Sequence, residues 1–60
     1  MKVNSFISPE LKLELAIAYL KEAIKLIEQK ALFLAREKII SAAFFLNEVE
    51  RDLSKEWHGV

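Results

Sequence analysis

The sequence predicts an all-α protein, an antiparallel helical hairpin of two long helices that completes a four-helix bundle by homodimerisation. Three observations carry this expectation. Apolar residues recur at steps of three and four along most of the chain. The only proline is Pro9 and the only glycine is Gly59, so no strong helix breaker lies between Glu10 and His58. Finally, the apolar positions cover more of each helix than one neighbour can bury.

The elements follow in order as one domain over residues 1–60, with an extended arm at residues 1–8, a first helix at about 9–28 and a second at about 31–56. In the arm, Val3, Phe6 and Ile7 are apolar, and Ile7 is placed to staple onto the first helical turn. Ser8-Pro9-Glu10 is a start signal. It offers a hydroxyl for an orphan N–H, a proline with φ preset for the first helical position, and a carboxylate against the positive end of the helix dipole.

Along the first helix, Leu13, Ile17, Leu20, Ile24, Ile27 and Ala31 form one stripe, flanked through Ala16 and Ala23 by Leu15, Tyr19 and Leu26. At 100° per residue the apolar arc spans about 200°. Leu32, Ala35, Ile39, Ala42, Leu46, Val49 and Leu53 form a second stripe whose heptad phase is shifted by one residue. A tight turn around Glu28, Gln29 and Lys30 accounts for the shift, and so does a stutter in one unbroken helix, because the average period across the junction is about 3.64 residues. Breadth favours the hairpin over a long-helix oligomer or a three-helix or partner-completed arrangement, since a two-stranded coiled coil needs only about two apolar positions in seven. On this reading the two main stripes pair inside the chain and the remaining apolar lines face outward. Alanines on or beside the stripes allow the helices to approach toward the ~8 Å end of the usual range. Ser41 lies away from the second stripe and carries no functional weight.

A sixty-residue chain buries only about 60% of the surface it exposes when unfolded, and this one has no cysteine to staple it. A second chain is the remaining source of apolar burial. The expected partner is therefore another copy, most simply in a dimer, or a different helical protein. The partner interface is expected at Leu15, Tyr19, Leu26, Phe33, Ile40 and Phe44. Such a chain reads as a protein–protein interaction or scaffold module.

Composition argues against the other classes. Nine basic residues balance nine acidic ones, which gives no global field toward nucleic acid or an anionic membrane. Nucleic acid binding is the alternative reading, resting on a local basic tip of Lys21, Lys25, Lys30, Arg36 and Lys38 around the turn. The longest uncharged stretch, Ile39 to Asn47, is nine residues, whereas a membrane-spanning helix needs about 20. No signal-like run precedes Glu10, so a cytoplasmic location is expected. Scarce Gly, Gln and Cys, with Lys and Glu as the main charges, point to a thermophilic source.

No enzyme activity, cofactor or metal is expected. The sole histidine, His58, is near the end of the chain and no cysteine is present, which leaves no nucleophile–base pair and too few ligands for zinc. The carboxylate pairs Glu10/Glu14 and Glu48/Asp52 sit one turn apart on polar faces and read as solvated surface, since acid–base work needs a carboxylate that is buried or crowded by like charge.

Overall fold

The computed structural model describes residues 8–58, with side chains as far as Glu56. The arm at residues 1–7, including the Ile7 staple, lies outside the described residues, as does the His58 side chain. Two helices, α1 (Pro9–Glu28) and α2 (Leu32–His58), pack antiparallel as a hairpin. The single unbroken helix is therefore not formed.

The start of α1 follows the cap chemistry. Ser8 is extended (φ −67°, ψ 158°), its hydroxyl accepts the Leu11 N–H at 3.2 Å, and Pro9 opens the helix. The end of α1 explains how the chain reverses without glycine. The Lys30 N–H donates to the Ile27 carbonyl at 2.9 Å and the Ala31 N–H to the Leu26 carbonyl at 2.8 Å, a Schellman pair that satisfies carbonyls left over at the helix end. That geometry places Lys30 at φ 66°, in the left-handed region usually given to glycine. Ala31 then accepts the Ala35 N–H at 3.0 Å and α2 begins.

Among the described residues the buried ones are all small: Ala16 and Ala23 on α1, Ala35, Ala42 and Val49 on α2. Within each helix they are seven residues apart, so every second turn sets a small side chain against the opposite backbone. Tyr19 and Phe45 close one edge of this seam as a stacked pair, with centroids 5.9 Å apart and planes 16° apart. Phe44 meets Phe45 edge-on at 5.5 Å.

This seam corrects the pairing expected from the stripes. Ala35, Ala42 and Val49 of the second stripe do face inward. The large residues Leu13, Ile17, Leu20, Ile24 and Ile27 of the first stripe, and Leu32, Ile39, Leu46 and Leu53 of the second, do not: all are exposed, from 39% at Leu20 to 62% at Leu32. A single neighbour buries only the strip it faces, and here that strip runs along the small residues beside each stripe of large ones, on α1 between that stripe and the Leu15, Tyr19 and Leu26 flank. The molecule measures 46 × 23 × 15 Å, one helix layer thick, so no other part of the described chain covers the rest.

Candidate protein-interaction surface

The exposed rows of the two helices lie on the same side of the hairpin. On α1, Leu13, Leu20 and Ile27 lie about 40–60° around the helix from the seam, on the side of increasing angle, with Ile17 and Ile24 beyond them at about 100°. On α2, Leu32, Ile39, Leu46 and Leu53 lie at the same offset in the same sense. Because the helices run in opposite directions, equal senses of rotation turn toward one common face. Nine leucines and isoleucines thus border the alanine seam as two parallel rows. They belong to a larger set of exposed apolar residues that makes this hairpin an interaction surface.

The opposite face is built differently. Lys38 Nζ lies 3.0 Å from Glu22 Oε1 and 5.6 Å from the Tyr19 ring centroid, a cation–π contact that crosses the seam. Nearby, Leu26, Gln29, Leu34 and Lys25 line a shallow open cleft with the same Glu22 and Lys38. At the open end, half-buried Lys12 bridges α1 to α2 through Asp52 Oδ2 at 2.8 Å and Glu48 Oε1 at 3.2 Å. The Asp52 hydrogen bond, reinforced by that to Glu48, holds the Lys12 ammonium above its ordinary pKa of 10.5, with burial pulling the other way. One side of the hairpin is therefore held by polar and aromatic cross-links, and the other is bare hydrocarbon.

The six residues expected at a partner interface do not share one surface. Leu15, Tyr19 and Leu26 are half-buried along the cross-linked edge of the seam. Phe33, Ile40 and Phe44 are exposed on the outer side of α2, Phe33 most of all at 68%. The basic residues gather at the turn end, where Lys21, Lys25, Lys30 and Arg36 are exposed, but acidic residues interrupt them. Lys38 is engaged by Glu22, and Arg36 Nη1 lies 3.9 Å from Glu37 Oε2. Among the described residues no group of three or more His, Cys, Asp or Glu is placed to hold a metal ion, and no helix is long and apolar enough to cross a membrane.

The sequence shows the nine-residue face as a pair of stripes, which hydrophobicity alone sends to the interior. The signal that locates it correctly is the spacing of alanine: Ala16 and Ala23 on one helix, Ala35 and Ala42 on the other, each pair one heptad apart. No family model matches the chain, and neither a curated protein nor a solved structure does.

Proposed function

We propose that this protein is a non-enzymatic oligomerisation module in which the Leu/Ile face of one hairpin packs against that of a second copy, closing a four-helix bundle. The observation that carries this reading is the nine-residue face itself. Its side chains expose on the order of 800 Å² per copy, about what each partner contributes to a stable interface. Recovering roughly 1 kcal/mol for each half-exposed leucine or isoleucine on both copies amounts to some 15–20 kcal/mol, enough to exceed an association cost of about 4–15 kcal/mol. The small seam residues suit this arrangement. Alanines at the hairpin contact draw α1 and α2 together, and the large residues on either side then fill the space between two such layers.

Dilution in the analytical ultracentrifuge tests the proposal. A dimer at micromolar concentration is expected, and a cooperative, well-folded monomer there overturns it. Phe33, Ile40 and Phe44 lie outside this interface.

The nucleic acid reading draws its support from the turn half alone. Between Leu20 and Ala42 five basic residues stand against three acidic ones. Phosphate binding there requires affinity that falls steeply with salt and falls again in Lys25→Glu, and a gel shift insensitive to both eliminates that alternative.

A further inference from the structure

Given the self-association proposed above, on which this inference rests, we infer that the second copy docks with its turn over the open end of the first. The two-fold axis then runs across the hairpin near Leu20 and Ala42, and each helix packs on its own symmetry mate. Two independent features of the face lead there.

The first is the length of the two rows. On α1 the row runs from Leu13 to Ile27, about 21 Å, and on α2 from Leu32 to Leu53, about 32 Å, at 1.5 Å per residue. Cross-helix contacts fix their relative level. Tyr19 pairs with Phe45, Lys38 with Glu22, and Lys12 with Glu48 and Asp52, which sets Leu20 level with about Ala42. The α1 row is centred on Leu20 and the α2 row between Ala42 and Ala43, so one axis serves both. With α1 on α1 and α2 on α2, Leu13 meets Ile27, Leu20 meets its own copy, Leu32 meets Leu53 and Ile39 meets Leu46. With both turns at the same end, α1 must instead cover the longer α2 row. Leu53 then projects past Leu13 toward Glu10, and Leu32 past Ile27 toward Lys30.

The second feature is charge. Glu50 stands on the rim of the α2 row at the open end, and Arg36 on the same rim near the turn. Turn over open end, Glu50 of each copy comes level with Arg36 of the other, within about one residue, and the dimer gains two such pairs. Turn over turn, Glu50 comes to the level of Lys12, whose ammonium is turned to the other face, and the charged rim residue within about two residues of it is Glu10, so like charges approach instead. The ends of the whole hairpin show the same bias. The turn half carries five basic and three acidic residues, and the described remainder three basic and six acidic.

The chain has no cysteine, so a single spin label at Gln29→Cys reports the separation of the two turns directly. The expected distance is about 27 Å along the helix direction, twice the ~13.5 Å rise over the residues between Gln29 and the axis at Leu20, and about 30 Å once the spacing between the two layers is added, whereas turns at one end give less than about 20 Å. Glu50→Arg is expected to weaken the dimer roughly tenfold, because two attractive contacts become repulsive, and Arg36→Glu added to it restores affinity. A short turn-to-turn distance, or a dimer tightened by Glu50→Arg, overturns this orientation and leaves self-association standing. A chain that stays monomeric overturns the self-association reading itself, a separate outcome seen before any distance is measured.

Discussion

Lys12 Nζ donates to Asp52 Oδ2 at 2.8 Å across the open half of the hairpin, forty residues away in sequence and within one turn of the start of α1. With the companion bond to Glu48 at 3.2 Å it is the polar latch that holds the two free ends together. The turn fixes the helices at one end by covalent connection, and Lys12 does so at the other by charge.

The latch predicts sensitivity to alkali. Because the Lys12 pKa is raised in the folded chain above its ordinary 10.5, its contribution is fully present below that value and is lost as pH rises through the folded pKa. Thermal melts should therefore be insensitive to this group up to about pH 10 and fall beyond it. Lys12→Met should lose less stability than the parent chain between pH 10 and 12. It should also speed amide exchange in the first turns of α1 at neutral pH. Identical alkaline profiles for the two proteins would show that the latch contributes nothing.

The seam predicts intolerance of bulk at residues that look replaceable in the sequence. Ala42 is 1% exposed against the opposite helix, so Ala42→Leu must push the helices apart or force a strained rotamer. A loss of about 1–3 kcal/mol is expected in urea melts. Ala43→Leu, one residue on and exposed, should be nearly neutral and serves as the control.

At the turn, Lys30 holds a left-handed conformation that costs an L-residue about 1 kcal/mol. Lys30→Gly relieves that cost but adds freedom to the unfolded chain, leaving an expected net gain of about 0.5 kcal/mol. A rise in melting temperature checks it. A fall would mean that the Lys30 side chain makes a compensating contribution.

Ile24 and Phe44 separate the two exposed apolar surfaces. They are almost equally exposed, at 57% and 58%, but Ile24 belongs to the Leu/Ile face and Phe44 to the outer side of α2. Ile24→Glu should abolish assembly, since a charge buried without a partner costs about 3 kcal/mol or more. Phe44→Glu should leave the oligomer intact. Sedimentation of both variants reads the contrast, and the reverse result would move the interface to the Phe33, Ile40 and Phe44 line.

The features legible in the sequence are those set by neighbours along the chain. Ser8, Pro9 and Glu10 announce the start of α1 because a cap needs only a hydroxyl, a preset φ and a nearby carboxylate. The surplus of apolar surface is equally plain, since periodicity shows arcs wider than one partner covers. The chain reversal is less so. Its Schellman bonds form around a lysine, so the glycine that usually marks such an end is missing and a continuous helix fits the same periodicity.

Which part of each arc faces the other helix was decided only by the tertiary structure. Leucine and isoleucine dominate the stripes, and hydrophobicity alone sends them inward. In the folded chain the contact is made where backbones approach most closely, along Ala16 and Ala23 against Ala35, Ala42 and Val49. A heptad phase records which residues share a stripe but not the direction from which the neighbour comes. That direction is a property of two helices together, fixed here by small side chains along the seam, the Tyr19–Phe45 stack and the Lys12 latch on one side of it, and it leaves the large residues facing out.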